Sequence, residues 1–146
     1  MSIEFHLNLE TSHLRISNKD MFKKKDVVAK FITLAKSCHL NPPKDKKDFL
    51  IEISLIKTPK QNLINFIEAF SNFFYDIKEF RELKISISKS TYDSSIFNVI
   101  ENWNAQNKDV LKVYSKKEKY IIDSEEDALL FAMITSLIEW VYETFI

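Results

Sequence analysis

The sequence predicts an α+β fold: one two-layer domain over residues 1–146, with a mixed sheet of about six strands and about four helices in the order ββαβαβαββα. Three observations predict it. Apolar residues alternate strictly with polar ones in Ile3–Leu9 and again in Leu83–Ser88, which is the period of a strand buried on one side. Between such segments run long ladders at helical spacing, of which Leu63, Phe66, Ile67, Phe70, Phe73, Phe74 and Ile77 is the densest. The chain is 45% hydrophobic and 29% charged, ordinary for a globular domain, and at 146 residues it is long enough to bury a core without staples.

The elements follow in order. Ile3, Phe5, Leu7 and Leu9 form the first strand, and Leu14 and Ile16 continue the alternation. A reversal near Glu10 and Thr11 pairs Phe5 with Ile16 and Leu7 with Leu14 and keeps every apolar side chain on one face. Glu-Thr is poor turn chemistry, so a looser loop is equally consistent. Asn18 is placed to cap a helix from Lys19 to about Cys38, carrying Met21, Val28, Phe31, Ile32 and Ala35, with Asn41, Pro42 and Pro43 as its stop. Phe49–Ile56 reads as a strand apolar on both sides apart from Glu52 and Ser54, the pattern of a central strand.

Thr58, Pro59 and Gln61 spell a capping box with proline at the first helical position, and the phenylalanine ladder after it should be the keystone of the core. Strand, helix and strand in succession then imply a parallel crossover to Leu83–Ser88. A shorter helix from Ser94 or Ser95 carries Ile96, Phe97, Val99, Ile100 and Trp103 and ends in the Asn-rich stretch through Asn107. Val110–Tyr114 and Tyr120–Ile122 form a hairpin around a lysine-rich turn. Ser124 is placed to cap the last helix, with Glu125, Glu126 and Asp127 in its first turn, where the helix dipole favours negative charge. That helix is long enough to span a bilayer, but Glu139 and Glu143, with Thr135, Ser136 and Tyr142, give it a polar stripe opposite Leu130, Met133, Ile134, Leu137 and Val141. It therefore reads as a core helix.

Composition excludes several chemistries. The chain has no glycine, so no P-loop, dinucleotide fingerprint, kinase phosphate loop or G-x-S-x-G nucleophile elbow is possible. Sharp turns are expected from Asn, Asp, Ser and Pro instead. The single cysteine, Cys38, precludes an internal disulfide. The opening residues alternate polar and apolar with Glu4 inside, unlike a secretory signal, so a reducing cytoplasm is the expected location. Net charge is zero, with +5 in residues 1–60 balanced by −5 in residues 61–146, and lacks the global basicity of a nucleic-acid binder. No Cys/His spacing supports a metal site, and no cofactor is expected.

The candidate sites are few. One sheet face should carry Glu4, His6, Asn8, His13, Arg15, Glu52, Ser54, Lys84, Ser86 and Ser88. On it the hairpin register sets His6 opposite Arg15 and His13 opposite Asn8, so two imidazoles, a guanidinium and Glu4 or Glu10 either do acid/base work on a phosphodiester or simply line a wet strand face. Cys38 and His39, adjacent on a helix, diverge and form no thiolate–imidazole pair. Lys23, Lys24 and Lys25, with Lys19 and Lys30, are a basic run suited to RNA or an acidic protein, though Asp20 and Asp26 dilute it. Glu125, Glu126 and Asp127 are a carboxylate patch for a basic partner. Tyr75, Tyr92 and Trp103, with Trp140, are the aromatic candidates for an interface.

These features favour a non-enzymatic module that neutralises another protein by covering it, in the manner of a small bacterial or phage immunity protein or antitoxin. The lysine-for-arginine bias, with Arg15 and Arg81 the only arginines, suits the AT-rich genes of mobile elements. The expected partner is a protein such as a toxin, with no membrane and no favoured nucleic acid. Two alternatives remain: a metal-independent nuclease or phosphotransfer enzyme using His6, His13 and Arg15, or a homo-oligomeric structural subunit pairing through a sheet edge or the last helix.

Overall fold

The computed structural model describes residues 2–18, 25–41, 49–77 and 80–146. Six strands and four helices follow the expected order: β1 (Ser2–Asn8), β2 (His13–Asn18), α1 (Lys25–Ser37), β3 (Phe49–Ser54), α2 (Lys60–Asp76), β4 (Glu82–Ser88), α3 (Asp93–Gln106), β5 (Lys112–Lys116), β6 (Lys119–Asp123) and α4 (Asp127–Phe145). The strands form one mixed sheet in the order β3-β2-β1-β4-β6-β5, in which only the β1–β4 pairing is parallel.

The hairpin register is the one the alternation dictates, Phe5 against Ile16 and Leu7 against Leu14. Its connection is the looser loop. Asn8 Oδ1 accepts hydrogen bonds from the Glu10 and Thr11 amides at 3.1 and 3.2 Å, and Ser12 takes a positive φ of 54°. Ile3, Phe5, Leu7, Leu14, Ile16, Ile51, Ile53, Leu83, Ile85, Ile87 and Ile122 are all buried on one face. All four helices cover that face: Phe5 meets Phe70 of α2 and Phe131 of α4, Phe31 of α1 meets Phe66 and Phe70, and Phe97 of α3 meets Tyr120 of β6. Phe70, fully buried, touches Phe5, Phe31, Phe66, Phe73 and Phe131 with ring centroids 5.5–6.1 Å apart, which makes α2 the centre of the helix layer.

Several local expectations are corrected. Phe49–Ile56 is not a central strand: β3 lies at the sheet edge, stops at Ser54, and leaves Ile56 in a turn, 67% exposed. Only Ile51 and Ile53 of its described side chains enter the core, so β3 alternates as a one-sided strand does. It runs parallel to β4 through α2, as a crossover requires, but β2 and β1 lie between them. Asn18 ends β2, pairs with Phe49 and donates from Nδ2 to the Ser2 carbonyl; Lys19 to Lys24, the start of the helix it was expected to cap, lie outside the described residues.

Thr58 does not close a capping box. Pro59 occupies the N-cap of α2 without a side-chain bond, and the Thr58 carbonyl instead accepts the Tyr142 hydroxyl at 2.6 Å, which ties α4 to the start of α2. Ser124 likewise does not cap α4. Its hydroxyl accepts the Glu126 amide at 3.1 Å in a turn that leaves Glu125 and Glu126 ahead of the helix and only Asp127 in its first turn. At Ser124 a side-chain turn takes the hydroxyl that a local cap would have used, and at the start of α2 Gln61, the far half of the expected box, donates from Nε2 to Asn65 Oδ1 at 2.8 Å instead.

Glycine's absence is met in an unexpected way. α1 ends at Ser37, before Asn41, in a Schellman motif: the Leu40 amide bonds the Ala35 carbonyl at 2.9 Å and the His39 amide bonds Lys36 at 3.0 Å. His39, at φ 59°, fills the left-handed position usually taken by glycine, and Cys38 packs against the core beside it. Lys108, Asp109 and Lys117 also have positive φ, so lysine and histidine serve in turns where Asn, Asp and Ser were expected to suffice. Pro42 and Pro43, and Lys19 to Lys24 of the basic run, lie outside the described residues.

α4 is the one helix among the described residues long and apolar enough to cross a membrane. Leu130, Phe131, Met133, Ile134, Leu137, Ile138 and Val141 pack into the core, which is the duty its amphipathic pattern predicts.

Candidate functional site

With all four helices on one side, no helix or strand among the described residues covers the second face of the sheet, which is bare in that sense. Pairing arranges its side chains in rows that cross the strands, and the middle row takes one residue from each: Glu52, Arg15, His6, Ser86, Ile121 and Tyr114. Arg15 Nη2 bridges Glu52 Oε2 at 3.4 Å, both half-exposed, a pair worth little to stability but enough to hold the guanidinium over β3. His6 Nδ1 donates to Ser86 Oγ at 2.7 Å, and the Ser86 hydroxyl donates onward to Glu4 Oε1 at 2.8 Å. Because serine has one proton and gives it to Glu4, the proton between His6 and Ser86 belongs to the imidazole. Ser86 is 2% exposed although it faces outward, and this chain satisfies it in both directions. Lys119 Nζ stands 3.9 Å from the same Glu4 oxygen.

The second histidine is fixed in the same tautomer, with His13 Nδ1 donating to the Thr11 carbonyl at 2.7 Å. The Nε2 atoms of both rings are left as acceptors when neutral. His6, Asn8, Thr11, His13, Arg15 and Glu52 line one small cleft of about 70 Å3. The three residues singled out for acid/base chemistry are therefore brought together, with Glu52 as an addition that could be found only by knowing that β3 lies beside β2. Among the described residues no group of histidine, cysteine and carboxylate side chains is arranged to hold a metal ion.

Burial lowers the His6 pKa below the ordinary histidine value; Glu4 opposes the shift, while Lys119 and Arg15 reinforce it. The unfolded chain therefore binds a proton at His6 more readily than the folded one, so stability falls on acidification through the ordinary histidine range and levels off below the lowered value. Urea unfolding between about pH 7 and 5.5 should show this loss, and His6→Gln should flatten it. An unchanged slope in that variant would place the pH dependence elsewhere.

The other candidates do not form one surface. Tyr75 meets Phe74 and Phe131 edge to face near the start of α4, close to Asp127. Tyr92 meets Phe145 at 4.7 Å, and Phe145 meets Trp140, at the far end of the same helix. Phe131 and Phe145 are fourteen residues apart on α4, a rise of roughly 21 Å. Trp103 is partly buried against the core, and its carbonyl holds the Asn107 side chain at 2.8 Å. Burial raises the Asp127 pKa, with Asp123 and Glu82 adding to the shift and a hydrogen bond from the Leu83 backbone opposing it. Asp127 thus belongs to the packed junction of α4 and β4, and only Glu125 and Glu126 of the expected patch are exposed.

Sequence reasoning missed Tyr114, 51% exposed at the end of the middle row, and the lysines beside it. No period-2 alternation marks it, because β5 reads Lys-Val-Tyr-Ser-Lys and buries no side chain fully. A wider groove of about 440 Å3 runs between α1 and α2, lined by Ala29, Lys30, Thr33, Leu34, Ser37 and Phe73, and contains no acid–base pair. Comparison with protein-family models, curated proteins and solved structures finds no match to this chain.

Proposed function

We propose that this protein is a non-enzymatic binding module that neutralises another protein by covering it with the bare face of its sheet, in the manner of an immunity protein or antitoxin. The observation that carries the reading is the middle row, a side chain from every strand of a six-stranded sheet with no layer above it among the described residues. Six strands span roughly 24 Å, and six residues along a strand about 20 Å. That area of roughly 500 Å2, with its rim, approaches the ~800 Å2 that each partner gives to a standard interface. Its hydrogen-bonded His6–Ser86–Glu4 chain is already ordered, so little side-chain entropy is lost on docking. The cleft on that face, at about 70 Å3, is far below the ~300 Å3 at which small-molecule pockets begin.

Pull-down from the native host, or with the product of the neighbouring gene, should recover a stoichiometric protein complex. Arg15→Glu with Tyr114→Ala should weaken that complex at least about tenfold, the equivalent of ~1.4 kcal/mol. Failure to recover a partner, or affinity indifferent to both substitutions, would sink the reading.

The convergence of His6, His13 and Arg15 in one cleft favours a second reading, acid/base cleavage of a phosphodiester without metal. One unprotonated Nε2 would accept the nucleophile's proton, a protonated one would donate to the leaving oxygen, and Arg15 would hold the phosphate once released from Glu52. This reading requires RNA cleavage in EDTA that His13→Ala abolishes with the fold intact. Inertness of the unsubstituted chain towards RNA eliminates it.

A further inference from the structure

We propose that the free edge of β5 is a docking strand for an acidic, extended segment of the protein partner, which adds to the sheet as a seventh strand. The inference rests on the protein-binding reading above and names the chemistry of what is bound. Among the described residues β5 pairs only with β6, through a two-residue turn at Lys117 and Glu118 that is closed by the pair Lys116 and Lys119. The closing pair of such a hairpin exchanges hydrogen bonds, and pairs alternate from there. Tyr114 and Lys112 therefore also bond to β6, and the N–H and C=O groups of Val113 and Ser115 point away from the sheet. An edge of this kind is a template for one more strand.

Charge selects the occupant. Lys112, Lys116 and Lys117 form no ion pair among the described residues; Lys112 faces Asp123 across the ladder without a bridge, and Lys116 faces another lysine, Lys119, whose charge is directed to Glu4. Lys112 and Lys116 flank Tyr114 on the bare face, about 14 Å apart. An incoming strand with acidic residues at two positions and an apolar one midway between matches that spacing, and opposite charges across a strand pair are favourable. A second copy of this chain is disfavoured in the register centred on Tyr114, where two antiparallel β5 edges set Lys112 against Lys116 twice, and like charges directly opposite are unfavourable.

The test uses the full chain and a fluorescein-labelled, end-blocked peptide of sequence Thr-Glu-Thr-Val-Thr-Glu-Thr, read by anisotropy and by amide exchange. The acidic peptide should bind at least about tenfold more tightly than its counterpart with lysine in place of glutamate, and should protect the Val113 and Ser115 amides. Methylation of the peptide's bonding amides should cost at least about tenfold, and methylation of the alternate ones little. Ser115→Pro, which removes only an outward N–H, should lose peptide binding while the circular dichroism is unchanged. Absence of binding, equal binding of the lysine peptide, or indifference to methylation overturns the proposal. So does a mass of two chains in solution that Ser115→Pro returns to one, since the occupant would then be a second copy. Peptide failure with the partner complex intact overturns edge pairing alone, whereas edge pairing without any partner complex overturns the covering function alone.

Discussion

Phe70→Ala should lower stability by about 3–5 kcal/mol, the range for removing a fully buried phenylalanine. Phe70 is wholly buried and its ring meets Phe5 of the sheet, Phe31 of α1, Phe66 and Phe73 of its own helix and Phe131 of α4. The cavity left by its removal opens at the one point where three helices and the sheet converge, so no single element can shift to fill it without loosening another. Urea unfolding measures the loss, and Phe70→Leu, which keeps most of the volume, should cost about half as much. A loss below about 1.5 kcal/mol for the alanine variant would mean that the helices collapse onto the gap and that the layer is less rigid than its edge-to-face contacts imply.

The largest gain should come from supplying what the chain lacks. His39, Lys108 and Lys117 sit at φ 59°, 62° and 51°, where a Cβ is crowded. The left-handed conformation costs an ordinary residue about 1–2 kcal/mol, and glycine offsets this by losing about 0.5–1 kcal/mol more chain entropy on folding. The combined variant His39→Gly, Lys108→Gly, Lys117→Gly should therefore be about 2 kcal/mol more stable, with a melting temperature about 6 °C higher. The three sites lie in separate connections and share no partner, so single variants should each contribute a similar part. A combined variant no more stable than the parent would show that the lysine and histidine side chains contribute as much as their backbones lose.

How much of this was legible beforehand varies with the range of the interaction. The hairpin register of β1 and β2, and with it the placement of His6 against Arg15 and His13 against Asn8, follows from period-2 alternation alone, because a one-residue slip would turn every apolar side chain outward. The α2 ladder was equally plain. The helix starts were not: Thr58 and Ser124 are in the right places to cap, but α2 starts on Pro59 with Gln61 turned to Asn65, and Ser124 is taken by a turn. Half of the acid/base cluster could be read from the hairpin, whereas Glu52 and Ser86 join it only because β3 and β4 flank that hairpin.

By itself the sequence determined the number, type and order of the elements, the buried faces of β1, β2, β4, α2 and α4, the exclusion of glycine-based motifs and the pairing of the first two strands. All of these are set by residues within a turn or a hairpin of one another. Only the tertiary structure decided the sheet order, which moved β3 to one edge and exposed β5 at the other, and gathered His6, His13, Arg15 and Glu52 into one cleft while separating Tyr75 from Tyr92. The physical reason is that hydrophobic burial is non-directional: an apolar strand face is satisfied at several positions in a sheet, and the choice among them rests on how four helices pack together.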